Sequence, residues 1–345
     1  MPQVSSFLDN ARRAPRLTKM FEEFQGFASG TRGQPAVPVS ADRSLLGADP
    51  DVAAVLTTQE MIAGTFNAHF VASIPYVLEE QARFSAALLA HLGRLAERER
   101  RPALLYTLGD AEGVNARTVA TLAGGAVHTL TCSPNPENRD EFYRCGAPPE
   151  SHFFVGPFFD VTPESLRNSG LSQFAAGFDV LVEDTTFQMY GPQRREQIAL
   201  ACRNLRSDGI FVAVEKLHPG CEDEYLRREE QKDTEFKARY FTKQQITAKR
   251  ERILTHMERM EVTIDEMRDA LSCHFSAAAI TWNSGNFYTV AASNDRERLR
   301  EFVSAHSAPA IPDQFQYGEL PRPLFGLAEG EVAFRTPQGA EEVSA

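Results

Sequence analysis

Between Ala103 and Leu217 one pattern repeats: a short apolar run, a polar stretch long enough for a helix, then another apolar run. The runs are ALLYTLG (Ala103 to Gly109), AVHTLTCS (Ala126 to Ser133), SHFFVGPF, FDVLVEDT and GIFVAVEKL. Each has strand length, and parallel strands need a crossover of about a dozen residues or more, which a helix supplies. Five strands alternating with helices predict an α/β protein with a parallel, doubly wound, Rossmann-like sheet. The end of the chain departs from this alternation. AAAITWNSGNFYTVAAS reads as two strands joined by a tight turn around Ser284 and Gly285, giving seven strands closed by an antiparallel hairpin.

Flanking segments are helical. Residues Ser6 to Phe27 carry Phe7, Leu8, Ala11, Leu17, Met20, Phe21 and Phe24 at helical spacing, predicting one or two short amphipathic helices. The linker GTRGQPAVPVSADRSLLGADP follows, and the pattern is helical again from Val52 to about Glu99, broken at Pro75. After VAVEKL, helices are predicted over Glu222 to Lys237, Lys243 to Met260 and Asp265 to Cys273. Beyond Asp295 the chain reads as a short helix and a Pro-rich tail, with the last ten residues expected to be disordered. The expected organisation is a helical extension or lid over residues 1–60, an α/β domain over 61–294 and a C-terminal extension over 295–345.

Charge narrows the partners. The formal net charge is -11, and basic residues stand beside acidic ones, as in LRREEQKDTEFKARY. A phosphate polyanion is repelled on average, which argues against nucleic acid and for a small-molecule substrate. No run of 18 or more apolar residues occurs, and MPQVSSFLDNARRAPRL lacks the apolar core of a secretory signal, so a cytoplasmic protein without a membrane partner is expected. The five cysteines form no CxxC pair and the eight histidines show no ligand spacing, so no metal is expected. Neither a GxSxG elbow nor a GxxxxGK[ST] loop is present.

In an open α/β sheet ligands bind at the carboxyl ends of the strands, where strand order reverses. The first strand-to-helix turn is LGDAEGVNARTVATLAGG, where Gly109 and Gly113 allow close approach of a ligand; tight packing of helix on strand explains them equally well. At the end of the second strand an acid usually holds a ribose diol, but Thr131-Cys132-Ser133-Pro134 contains none. Thr131 and Ser133 offer hydroxyls instead, and Glu137 could reach back. After the third strand, Phe158 in Gly156-Pro157-Phe158-Phe159 is placed to stack on an adenine, or to fill the core. The fourth strand ends in Glu183-Asp184-Thr185-Thr186-Phe187-Gln188-Met189-Tyr190, the densest polar group at any strand end. Buried polar groups need partners, and a ligand is a natural one.

A parallel sheet closed by such a hairpin is the arrangement of class I methyltransferases rather than of dehydrogenases. The motifs FNAHFVASIPYVLEE, HLGRLAER, YTLGDAEG, TCSPNPE, DTTFQMYGPQRREQ, VAVEKL, FKARYFTKQQITAKRERIL and TWNSGNFYTVAAS resemble the carboxy-S-adenosylmethionine synthase family, over about Phe66 to Ser293. The resemblance implies S-adenosylmethionine as cofactor and a homodimer. It places cofactor contacts at Phe84, Gly109, Asp110, Ala111, Thr131, Cys132, Pro157, Phe158, Asp184 and Arg250. To these the residue pattern adds Gly113, Ser133, Thr185 and Gln188. The family usually has tyrosine at Phe84, acids at Thr131 and Pro157, and asparagine at Asp184, so a different reaction is implied. The arginine matching Arg250 grips a carboxylate across a dimer interface in that family, as a planar guanidinium can.

A sulfonium opens each attached carbon to displacement, so the protein must mainly position a nucleophile and exclude water. Tyr190, Phe187 and Phe158 are candidates for an aromatic wall around the cation. The first expectation is methyl transfer to a small amino or hydroxy compound of specialised metabolism, with Tyr190, Asp184 and Arg250 as catalytic candidates. The alternative is cyclisation of the cofactor to azetidine-2-carboxylic acid and methylthioadenosine. Bacterial azetidine-2-carboxylate synthases look like repurposed methyltransferases of this type; there Tyr190 would hold the methionyl chain bent and Asp184 would orient or deprotonate the amine. Carboxy-S-adenosylmethionine synthesis from prephenate and a non-catalytic cofactor-binding module are further alternatives.

Overall fold

The computed structural model describes residues 2–14, 20–47 and 49–336. Leu17 of the predicted N-terminal helices and residues 337–345 of the expected disordered end lie outside the described residues.

The strands are β1 (Ala103–Leu108), β2 (Val127–Ser133), β3 (Ser151–Val155), β4 (Phe178–Asp184), β5 (Leu205–Lys216), β6 (Ala277–Ser284), β7 (Phe287–Ser293) and β8 (Arg322–Phe325). They form one sheet in the order β3-β2-β1-β4-β5-β7-β6-β8. β1 to β5 run parallel, and β7 enters antiparallel between β5 and β6. This is the expected doubly wound α/β sheet closed by an antiparallel hairpin, with one strand added. The expected count of seven is corrected to eight: β8, from the tail read as irregular, pairs antiparallel with β6. Pro323 within it and Pro321 before it disguise the strand, but proline is tolerated on an edge, where one row of amides is unpaired anyway.

Alternation along the strands feeds two cores. Leu104, Tyr106 and Leu108 of β1 face one side with Leu130, Leu181 and Phe211. Ala103 and Leu105 face the other with Val180, Val182 and Val212, beneath Leu88, Leu92 and Leu95 of the helix Val77–Glu99. The helical region before β1 resolves into Pro50–Ile62, Thr65–Val71 and Val77–Glu99, with the break at Pro75 as expected. The Asp49 side chain caps the first of these by accepting from the amides of Asp51 and Val52.

The two long helices predicted after β5 are interrupted. Glu222–Gln231 passes into a π-helical turn over Lys232–Phe236, and Lys243–Lys249 into another over Arg250–Leu254. Such turns widen the helix by one residue and redirect the side chains that follow, often at functional sites. At the N-terminus, Phe7 and Ala11 of the helix Pro2–Ala11 join the core beside Phe159. The helix Met20–Ala28 lies across the carboxyl ends of the strands: Phe24 stacks on Phe66 at 6.1 Å, and Gln25 Nε2 donates to Glu137 Oε1 at 2.7 Å. No helix among the described residues is long and apolar enough to cross a membrane.

Candidate functional site

Strand order reverses between β1 and β4, and the two turns leaving these strands interlock. Gly109 has φ +88°, and a Cβ there would run into Thr186 Oγ1 and the Asp184 carbonyl oxygen. Two non-glycine residues in the same turns, Ala111 (φ 33°) and Thr185 (φ 53°), also hold left-handed backbone. Such conformations persist only where the surroundings over-determine them, and they gather at binding sites.

Three cavities meet here, all sharing Gly109 and Phe66. The first, about 570 Å³, runs over the ends of β1, β2 and β3 and is lined by Ala111, Cys132, Ser133, Pro157, Phe158 and Tyr190 among others. The second, about 230 Å³, lies between the helix Thr65–Val71 and the turns, and holds Asp110 and Asp184. The third, about 790 Å³, carries Thr185 and Gln188 on its rim and opens toward the helices that follow β5.

Polar atoms in these cavities lack protein partners. Asn135 Oδ1 and Asn138 Oδ1 in the first, Asp184 Oδ1 in the second and Gln188 Oε1 in the third are buried without a hydrogen bond. Asn138 is oriented by donating from Nδ2 to Ser133 Oγ at 2.8 Å, which leaves its carbonyl oxygen free. Asp110 accepts from the Ala116 amide at 3.2 Å and from Asn115 Nδ2 at 3.3 Å, yet burial pushes its carboxyl up to about 7. Burial, and then Asp110 itself, holds the Asp184 carboxyl well above the usual carboxylate range.

Most residues singled out from the sequence thus come to one crevice; Thr131, Gly113, Phe84, Arg250, Glu137 and Phe187 do not line it, Phe187 being fully buried in the core. Thr131 Oγ1 bonds Thr107 Oγ1 at 3.0 Å and sits behind the turn at Gly113, so both shape the turn without lining a cavity. Phe84 packs on Phe302 at 6.4 Å and His306 at 6.0 Å in the core, because it shares the sheet-facing side of its helix with Leu88 and Leu92. Arg250 is drawn outward by Asp233, 2.7 Å from its Nη2, and lines a separate surface depression. Glu137 is taken up by Gln25, and Asn135 and Asn138 stand where the missing acid was sought. The signal for them was the pair of asparagines on either side of Pro136-Glu137, just after the acid-free strand end.

The third cavity holds a group of residues that sequence reading missed. Lys216, Lys232, Lys237 and Lys249 line it with His69 and Ser73, against a wall that includes Phe24, Phe27 and Phe287. Lys216 meets Glu229 at 3.0 Å and Glu261 at 2.9 Å, Lys232 meets Glu229 at 2.5 Å, and Lys237 meets Asp233 at 2.7 Å. Lys249 Nζ contacts only neutral atoms at hydrogen-bond range among the described residues, His69 Nε2 at 2.7 Å and Ser73 Oγ at 2.8 Å. These lysines have no common spacing in sequence; Lys216 ends β5, Lys232 opens the first π-helical turn, Lys237 follows it and Lys249 ends the helix before the second, and the packing of these elements brings them together.

No family model matches the sequence, and a search of curated proteins gives no match. Among solved structures the chain is similar to the plantazolicin methyltransferase BpumL in complex with SAH, at 10% identity over 81% of this chain and 99% of that one, with TM-score 0.43. It is also similar to cofactor-bound Rv0187 from MTB, at 17% identity over 74% of this chain and 94% of that one, with TM-score 0.39.

Proposed function

We propose that the protein binds S-adenosylmethionine in the crevice over β1 and β4 and methylates a small amino or hydroxy compound held in the third cavity. The observation that carries this reading is the meeting of three separate chambers at Gly109 and Phe66. A nucleoside, an amino-acid tail and an acceptor each need a compartment, and the three must converge on one point for in-line transfer. Cyclisation of the cofactor would need no third chamber, and Tyr190 and Asp184, its two candidate residues, open on different cavities.

The residues present fit such a cofactor. The free amide oxygens of Asn135 and Asn138 would accept from ribose hydroxyls, and Phe158 and Tyr190 would flank the base. Asp184, with one oxygen unpaired, would receive an ammonium group and ionise on doing so. Once bound, S-adenosylmethionine supplies an electrophilic methyl carbon. The chain's own contribution is to orient the acceptor and keep water out, with the helix Met20–Ala28 as the lid and Phe24 reaching both large cavities.

Calorimetric titration with S-adenosylmethionine and with adenosylhomocysteine tests this, followed by incubation with S-adenosylmethionine alone. Both ligands are expected to bind, and no methylthioadenosine is expected to form. Methylthioadenosine without added substrate would favour cyclisation, and formation of the carboxy derivative on adding prephenate would favour the synthase reaction. Failure of both ligands to bind would overturn all of these readings.

A further inference from the structure

We propose that the acceptor is an organic acid with an aromatic or similarly flat apolar body, and that Lys249, assisted by Ser73, holds its carboxylate. This deepens the reading of the third cavity as the acceptor chamber and rests on it. Three of the four lysines in that chamber already have carboxylates within 3.0 Å. Lys249 has none, and the imidazole beside it is neutral and committed: His69 Nδ1 contacts the Gly33 carbonyl oxygen at 2.5 Å, so its proton sits there and Nε2 accepts from Lys249. Among the described residues, Lys249 is therefore the one lysine of the chamber with no carboxylate against it, which matches a single carboxylate better than a dianionic phosphate. Apart from Thr185, Gln188 and Glu261 the rest of the lining is apolar, with Phe24, Phe27, Phe66, Phe70 and Phe287 surrounding a volume that accommodates a ring system.

Lys249 faces His69 and Ser73 from the segment before the helix Val77–Glu99, Lys232, Asp233 and Lys237 from the chain after Gln231, and Arg250 beside it on its own helix. Burial, then Lys237 and Lys232, holds its ammonium well below the usual lysine range. A carboxylate seated against it reverses that balance and draws a proton onto Nζ.

The test compares 3-phenylpropionate with 3-phenylpropionamide by titration into the full chain saturated with adenosylhomocysteine, in phosphate and in Tris buffer. The acid is expected to bind at least roughly tenfold more tightly than the amide, with proton uptake revealed by the difference between buffers. Lys249→Met and Lys249→Gln are each expected to bring acid and amide to equal affinity while adenosylhomocysteine still binds. Equal affinities in the unaltered protein, no binding of either probe, or a preference for the acid that survives both substitutions would overturn the proposal. If adenosylhomocysteine itself fails to bind, the cofactor reading falls, and the same acid-to-amide comparison on the chain alone still decides the role of Lys249.

Discussion

The carbonyl oxygen of Asp184 occupies the space that a side chain on Gly109 would need, so the turns leaving β1 and β4 lock against each other at the point where strand order reverses. Gly109→Ala therefore combines a left-handed backbone with a clash against main chain that cannot move aside. A loss of about 2 kcal/mol or more is expected, together with loss of adenosylhomocysteine binding. Urea unfolding and calorimetry measure the two effects; an alanine variant of unchanged stability would show that the turns are not interlocked.

Asn138 is fixed by Ser133 so that its free oxygen points into the first cavity. Asn138→Ala removes one hydrogen bond to a ligand hydroxyl and leaves the core intact. Cofactor affinity is expected to fall roughly tenfold, in line with about 1.4 kcal/mol, with little change in unfolding midpoint. An unaltered dissociation constant would remove Asn138 from the site.

Asp110 yields a pH prediction whose sign is fixed by its shift. The folded chain keeps this carboxyl protonated up to about 7, whereas the unfolded chain releases the proton near the ordinary aspartate value of about 3.9. Between those values the native state binds more protons, so the contribution of Asp110 to stability falls as pH rises through that window. Asp110→Asn abolishes this, and the variant should gain on the parent by up to roughly 4 kcal/mol between pH 4 and pH 8. Comparing the two proteins cancels the opposing effect of buried histidines such as His91, which burial holds near 3. Parallel pH profiles for the two proteins would contradict the assignment.

Beneath the β4 turn, Arg194 joins Glu215 at 2.9 Å and donates to the carbonyl oxygens of Gly191 and Met260. Glu183 stands close by, accepting from the amides of Thr186 and Phe187. Arg194→Met would leave Glu215 buried beside Glu183 without its cation, at an expected cost of roughly 3–5 kcal/mol in chemical denaturation. Adding Glu215→Gln should recover part of that loss. A single variant within about 0.5 kcal/mol of the parent would show that the pair is not a support of the turn.

The sheet was legible in the sequence because period-two apolar runs, helical spacing between them and the turn at Ser284 and Gly285 are local signals. The same holds in part for the crevice: strand ends in such a sheet converge by topology, which singles out Gly109, Phe158 and Asp184, whereas Asp110 and Pro157 are what the family resemblance implies. Edge strand β8 was hidden because its partner lies some forty residues away along the chain and its prolines mimic a tail. Phe84 was named through the family resemblance alone, and in the fold it packs against Phe302 in the core.

The chemistry of the third chamber was decided by tertiary structure alone. Lys216, Lys232, Lys237, Lys249 and His69 are spread over 181 residues and share no spacing: they stand at the end of β5, in and just after the first π-helical turn, at the end of the helix before the second, and on the helix Thr65–Val71. Local sequence determines where chain segments become strand or helix, through backbone preference and apolar periodicity. Which charges face one another across a cavity depends on how those segments pack, and that is a property of the folded whole.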